Sequence, residues 1–343
     1  MSRISKYTPR TVKRGPDGQV LKTSAMIASI AGADQKTASA PFGEALNALA
    51  ATNERIVGLT ADLSKYTDLH VFAKAYPDRF YQMGMAEAVL MSAAAGMARE
   101  GFQAWATTYA VFASRRAYDF ICMAIAEENL DVKICCALPG LTTGYGPSHQ
   151  ATEDLAIFRG LPNMTIIDPC DAADISQIVP AISAHKGPVY MRLLRGQVPL
   201  VLDEYGYTFE LGKAKMIRDG RDVLVISTGL MTMRALEAAK ALQKDSVDMA
   251  VLHVPTIKPL DVETISREAA KSGRMVVVAE NHTIVGGLGE AVAGVLMRGT
   301  IRPPAFHQIG LPDEFLDAGA LPTLHDRYGI STPEIVRRIK SWL

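Results

Sequence analysis

The feature that most constrains this chain is a rhythm. Short apolar runs and longer amphipathic stretches alternate from residue 55 to residue 193, stop, and begin again at residue 222. The pattern predicts strands over 55–59, 102–106, 132–137, 164–167 and 188–193, with helices over 70–76, 85–99, 109–126, 151–159 and 171–185. Strand and helix in regular alternation argue an α/β fold: a mainly parallel sheet with helices on both faces, doubly wound. The stretch from Gln197 to Lys213, with Pro199, Gly206 and Gly212, breaks the rhythm and reads as a domain boundary. Beyond it, strands over 222–227, 247–254, 274–279 and 304–309 and helices over 230–242, 261–271, 287–297 and 333–342 predict a second, smaller doubly wound domain. Two domains suit 343 residues, which exceed one ordinary core. Residues 1–38 carry the turn-forming Gly15-Pro16-Asp17-Gly18 and no clear periodicity, and read as an N-terminal arm. The expected division is arm 1–38, first domain 39–200, linker 201–212 and second domain 213–343.

Charge excludes some partners. The 36 basic and 36 acidic residues cancel, so no global field draws the chain to nucleic acid or an anionic membrane, and a small or locally recognised ligand fits better. No apolar segment approaches the ~20 residues of a membrane span, and the N-terminus lacks a secretory apolar core, so a cytoplasmic location is expected. Cys122, Cys135, Cys136 and Cys170 show neither CxxC spacing nor an accompanying histidine cluster, so no metal site is expected, and they read as reduced core residues.

Three stretches carry candidate chemistry. In YQMGMAEAVLMSAAAGMARE, residues 81–100, Glu87 stands alone among small and apolar residues, with no basic residue in the stretch before Arg99. An acid at the head of such a helix can be a surface cap favoured by the helix dipole, a buried residue paired with a distant base, or a catalytic acid tuned by its apolar setting. LPGLTTGYGPSHQ, residues 138–150, is a loop at the carboxyl end of a strand, where doubly wound folds place ligands, and it ends in His149. Tyr109 and Phe112, spaced by three, can stack on a flat heterocycle or simply fill the core. Gly286-Gly287-Leu288-Gly289 follows an apolar strand and opens a helix, but Val292 stands where a dinucleotide-binding turn has its third glycine. It can be read as such a turn or as a tight strand-to-helix connection.

Taken in order, the segments GLTADLSKYTDL, GMAEAVLMSAAAGMAREG, TTYAVFASRRAYDFI, GPSHQATEDLAIFRGLPNMTIIDPCDA, GPVYMRLLRG, AENHTIVGGLGEAVAGVL and GLPDEF resemble the C-terminal half of transketolase, in particular the shorter (B) subunit of split, two-gene transketolases. The resemblance runs from about Phe42 to the C-terminus. It implies that the first domain holds the aminopyrimidine end of thiamine diphosphate and that the second is the family's C-terminal domain. Glu87 falls on the family's cofactor-activating glutamate, which hydrogen-bonds N1′ of the pyrimidine and favours its imino tautomer. Tyr109 and Phe112 look like the aromatics beside the pyrimidine. His149 resembles the active-site histidine near the donor's reacting oxygen. Arg195, with Arg192 as a nearby competitor, matches an arginine that contacts a sugar phosphate, and Thr60 stands where a small hydroxyl residue shares that phosphate.

Two departures point to an unusual sugar donor or acceptor. Tyr145 occupies the position, four before the histidine, where typical transketolases carry an acidic residue, and no second histidine stands near Ala137 and Leu138. Gly-Asp-Gly, which opens the family's diphosphate-and-metal motif, occurs nowhere in the chain. The resemblance therefore implies a partner, the N-terminal-half (A) subunit, that holds the diphosphate and Mg²⁺, in a heterotetramer with sites at subunit interfaces. The implied reaction moves a two-carbon ketol unit from a ketose phosphate to an aldose phosphate. The alternatives are the beta subunit of a 2-oxoacid dehydrogenase and a noncatalytic interaction subunit.

Overall fold

A computed structural model describes residues 35–343 except Ser272. The expected arm lies outside the described residues up to residue 34. Its last residues form a strand, β1 (Thr37–Ser39), followed by α1 (Pro41–Ala50), which opens on a proline whose missing N–H costs nothing there. Next come β2 (Ile56–Thr60), α2 (His70–Ala75), β3 (Phe80–Gln82), α3 (Glu87–Arg99) and β4 (Gln103–Tyr109). The short α4 (Ala110–Arg116) and α5 (Tyr118–Ile121) lead through a π-helical turn (Cys122–Ala126) to β5 (Val132–Ala137). α6 (Asp154–Arg159), β6 (Thr165–Ile167), α7 (Ala172–Ala184), β7 (Val189–Leu193) and β8 (Gln197–Pro199) complete the first half.

The second half runs β9 (Lys215–Arg218), β10 (Val223–Ser227), α8 (Leu230–Leu242), β11 (Met249–His253), β12 (Thr256–Lys258), α9 (Val262–Ala269), β13 (Met275–Thr283), α10 (Leu288–Arg298), β14 (Phe306–Leu311), α11 (Leu321–Arg327) and α12 (Thr332–Trp342). The larger sheet has the order β12-β6-β7-β5-β4-β2-β3, and the second has β14-β13-β10-β11-β9. Only β12 against β6 and β9 against β11 pair antiparallel within them; the other pairings are parallel. Every residue of β2, β4, β5 and β7 is buried, as expected of parallel strands covered on both faces. The fold is thus α/β with two mainly parallel sheets.

Several predicted elements change. The helix expected over 109–126 begins at Ala110, because Tyr109 is extended (φ −81°, ψ 147°) as the last residue of β4, and it breaks at Ala117. An apolar run does not by itself distinguish a buried strand end from a helix start. The helix expected over 151–159 starts only at Asp154. The stretch expected to separate the domains contains β8, which pairs antiparallel with β1 (Ala38 opposite Val198). β12 comes from beyond that stretch yet adds an edge strand to the first sheet, with Thr256 opposite Ile167.

The two halves also share a buried polar network. Arg192 of β7, 1% exposed, donates to Asp154 (Nε to Oδ2, 2.9 Å), to Asp168 Oδ2 (3.3 Å) and to the carbonyl of Asn281 on β13 (3.1 Å). Tyr190 donates its hydroxyl to Asp154 at 2.6 Å. The glycine-rich turn of residues 286–289 is a strand-to-helix connection built around a carboxylate. Glu280 Oε2 and Oε1 accept from the Leu288 and Gly289 amides at 2.6 and 2.8 Å, occupying the helix N-terminus where a dinucleotide phosphate would sit. A Cβ at Gly287 would fall 2.0 Å from Glu280 Oε2, so only glycine admits that carboxylate.

Candidate active site

The carboxyl ends of β2 and β4 open onto a cavity of about 620 Å³, lined among others by Asp62, Leu63, Tyr66, Met85, Glu87 and Tyr109, with Phe112, Arg116, Tyr145 and His149. Glu87 is the first residue of α3 and is 5% exposed, so it is not a surface cap. Its Oε1 lies 3.3 Å from Arg116 Nη1, the cation that sequence reading did not supply. The Arg116 guanidinium also lies over the Phe112 ring, 4.0 Å from its centroid. The one sequence signal for that contact is the i,i+4 spacing of Phe112 and Arg116 on α4.

Tyr109 ends β4 and Phe112 sits in the first turn of α4, their ring centroids 5.5 Å apart. His149 approaches both rings, at 6.1 Å from Tyr109 and 5.4 Å from Phe112, and stands 5.1 Å from the Tyr145 ring. Its Nδ1 is 2.9 Å from the Ser148 hydroxyl, while Nε2 has no hydrogen-bond partner among the described residues. Desolvation, and secondarily the nearby Arg116 charge, hold His149 below the ordinary imidazole range. A neutral ring with one open nitrogen can accept or return a proton. Desolvation likewise raises the Tyr109 phenol, which remains a donor.

The structure therefore brings together Glu87, Tyr109, Phe112, Tyr145 and His149 around one cavity. Arg195 stands next to it: its guanidinium is 5.5 Å from the ring centroid of Tyr66, a lining residue, and its Nε is buried without a hydrogen-bond partner among the described residues. Arg192 and Thr60 are not brought to the cavity surface. Arg192 is buried, with all three of its guanidinium nitrogens engaged in the network, so the structure does not bring it to the cavity as the phosphate contact it was expected to be. Thr60 is fully buried, and its hydroxyl bonds Thr107 O at 3.3 Å and Leu63 N at 3.2 Å. Its role is to shape the turn that carries Ala61, Asp62 and Leu63. Tyr66, Asp62 and Met85 were missed, because neither spacing nor composition distinguishes them from ordinary loop residues.

The family model described as transketolase, pyrimidine binding domain, matches residues 34–201, and that described as transketolase, C-terminal domain, matches residues 212–335. The chain belongs to the transketolase family. It corresponds to the C-terminal half of that family, as found in split transketolases. An uncharacterized transketolase family protein of Sinorhizobium fredii is 76% identical over 323 residues, 94% of each chain. A 6-deoxy-6-sulfo-D-fructose transketolase subunit of Clostridium sp. (strain MSTE9) is 38% identical over 286 residues, 83% of this chain and 88% of that one. The solved structure of a split gene transketolase, an inactive beta4 tetramer, superposes with TM-score 0.80 at 39% identity, covering 88% of this chain and 96% of that one.

Transketolases depend on thiamine diphosphate, and the cavity suits one end of it. A buried carboxylate beside two aromatic faces offers an acceptor for a ring nitrogen and surfaces for a flat heterocycle. Among the described residues no cluster of three or more His, Cys, Asp or Glu side chains suits a metal ion. No helix among the described residues is long and apolar enough to cross a membrane.

Proposed function

We propose that this chain is the cofactor-activating (B) subunit of a split transketolase that transfers a two-carbon ketol unit between sugars. The observation that carries the reading is the convergence of a buried Glu87, two aromatic rings and a neutral His149 on one cavity. Thiamine diphosphate, when bound, would supply carbon-nucleophile chemistry for breaking and making a carbon–carbon bond. Glu87 would hydrogen-bond the pyrimidine N1′, and its burial would make that hydrogen bond stronger than it is in water. Tyr109 and Phe112 fix the plane of the ring. His149 Nε2 takes and returns the proton at the sugar oxygen that changes between hydroxyl and carbonyl. Arg195, beside Tyr66, lends its guanidinium charge to an anionic group on the sugar, and Tyr145 sets a phenol where a carboxylate would face the donor's hydroxyls.

A separate N-terminal-half subunit supplies the diphosphate and Mg²⁺ contacts, in a heterotetramer of two chains of each kind. The domain division that serves this reading is a pyrimidine-binding domain over 39–200 and a C-terminal domain over 213–343. The Clostridium relative acts on a sulfonated ketose, and a donor outside the common sugar phosphates accords with Tyr145 here. The test is reconstitution with the product of a neighbouring gene that carries a Gly-Asp-Gly…Asn motif, plus thiamine diphosphate and Mg²⁺, assayed with ketose donors against aldose acceptors and, separately, with 2-oxoacids. Ketol transfer that Glu87→Ala abolishes supports the reading, and near-normal transfer by that variant sinks it.

A further inference from the structure

The loop that carries Tyr145 and His149 is fastened at several points by the second half of the chain. After β5 it turns through Leu138 (φ 59°) and Gly140 (φ 56°). A Cβ on Gly140 would fall 2.1 Å from Asn281 O, so β13 and the loop meet backbone to backbone. The Asn281 side chain then acts on the loop in both directions. Its Oδ1 accepts from Leu141 N at 2.9 Å, and its Nδ2 donates to Pro139 O at 3.4 Å. His325 on α11 reaches the same residue from the other side, with Nε2 at 2.7 Å from Leu141 O. Arg234 Nη2 lies 2.7 Å from His325 Nδ1 and can only donate, so Nδ1 accepts and Nε2 carries the proton given to Leu141. Further along, Gly319 N donates to Gly144 O at 2.9 Å, and Gln150 Nε2 donates to Asp317 O at 3.1 Å and to the loop's own Thr143 O at 3.2 Å.

None of these groups lines the cavity, and none touches Glu87, Tyr109 or Phe112. Asn281 and His325 are 3% and 6% exposed and spend their polar atoms on two consecutive peptide groups of the loop and the carbonyl just before them, or on the arginine that fixes the ring. We infer that Asn281 and His325 are positioning residues of the C-terminal domain that set where His149 and Tyr145 stand, and so govern the sugar side of the site while leaving the cofactor side to the first domain. The inference rests on the reading of His149 as the group that handles the sugar's proton.

Two measurements test it. In the full chain alone, hydrogen exchange is followed in Asn281→Leu, His325→Leu and His325→Gln. The leucine variants should speed exchange of the Leu141 to Tyr145 amides by at least about tenfold while α3 and β4 amides stay as in the parent. His325→Gln, whose amide can still donate to Leu141 O, should restore protection in part. Unchanged loop exchange, or loosening spread equally over α3 and β4, overturns the proposal. In the complex with the diphosphate-binding partner, Asn281→Leu and His325→Leu should lower donor kcat/KM by about 10²-fold, as for a catalytic group displaced by about 1 Å, with thiamine diphosphate affinity within about threefold. In a His149→Ala background the same substitutions should cost clearly less than in the parent, because one of the two residues they place is gone. Costs that multiply instead, or a parallel loss of cofactor affinity, also overturn it. Should Asn281→Leu fail to fold, as read by its melting transition, the His325 pair carries both measurements. Full turnover by Glu87→Gln would defeat the functional reading itself, while the exchange data would still decide whether the second domain positions the loop.

Discussion

The wall that carries Glu87, Tyr109 and Phe112 and the wall that carries Tyr145 and His149 line the same cavity but are held by different means. The first stands at the head of α3, the end of β4 and the first turn of α4, so sheet pairing and helix hydrogen bonds fix its backbone. The second stands on a loop whose peptide groups are satisfied by side chains and backbone from distant parts of the chain. On its outer flank Arg115 adds bonds to Pro147 O (2.7 Å) and Gln150 O (3.3 Å) and pairs with Glu153. On the proposed function, a flat cofactor ring at the first wall would meet a fixed surface, whereas the groups assigned to the sugar stand on a loop held from a second part of the chain.

The largest expected effect sets the two walls against each other. Glu87→Gln should lower turnover by about 10³-fold and weaken thiamine diphosphate, whereas His149→Ala should lower turnover by about 10²-fold or more and leave cofactor affinity unchanged. Steady-state kinetics and cofactor titration of the assembled complex check both, and a shared loss of cofactor affinity would erase the distinction. Arg192→Met comes next. It leaves Asp154 and Asp168 buried without their cation, so denaturant unfolding should show about 3–5 kcal/mol less stability.

A more gradual effect, spread over several pH units, concerns acid. Burial, reinforced by the Arg234 charge, holds His325 down to about 3, against an ordinary 6.5 in the unfolded chain. The unfolded state therefore takes up a proton below about pH 6.5 that the folded state refuses. This stability is present above pH 6.5 and is lost toward pH 3, by up to about 1.4 kcal/mol per pH unit. His325→Gln has no such proton, so its unfolding free energy should decline less steeply over that window. Glu280 and Asp168, which burial raises to about 7 and about 6, act with the opposite sign, their contribution being lost as pH rises through those values. They are present in both proteins and cancel in the difference. The smallest effect is expected of Arg116→Ala. Its pair with Glu87 involves a side chain that is 55% exposed, so stability should change by under about 1 kcal/mol in the same unfolding assay. A larger loss would mean that Glu87 is held for the fold rather than for a ligand.

Local pattern carried much of this architecture. The strand over 132–137 and the helix over 230–242 stand where periodicity put them, because a buried strand and an amphipathic helix each leave a regular spacing of apolar side chains. Tyr109 shows the limit: the same aromatic-rich run suits a strand end and a helix start, and pairing with Ala137 on β5 decides for the strand. β3 and β12 are three residues each, too short to leave a period, and exist only through partners far away in the chain. Within the cavity, the ordered motifs singled out Glu87, Tyr109, Phe112, Tyr145 and His149, but Arg192 looked as available as Arg195. They lie three residues apart, and only the depth of Asp154 and Asp168 shows that one guanidinium is spent.

What the sequence by itself determined is the α/β rhythm, the membership in a family and the residue types that converge on the cavity, since all of these reside in local periodicity and ordered motifs. The tertiary structure alone decided which charges are free. It buried Glu87 beside Arg116, consumed Arg192, left Arg195 Nε without a partner among the described residues and hung the His149 loop on Asn281 and His325. Those outcomes depend on desolvation and on hydrogen bonds between residues as far apart as Leu141 and His325, and no short-range pattern in a chain encodes a distance of that kind.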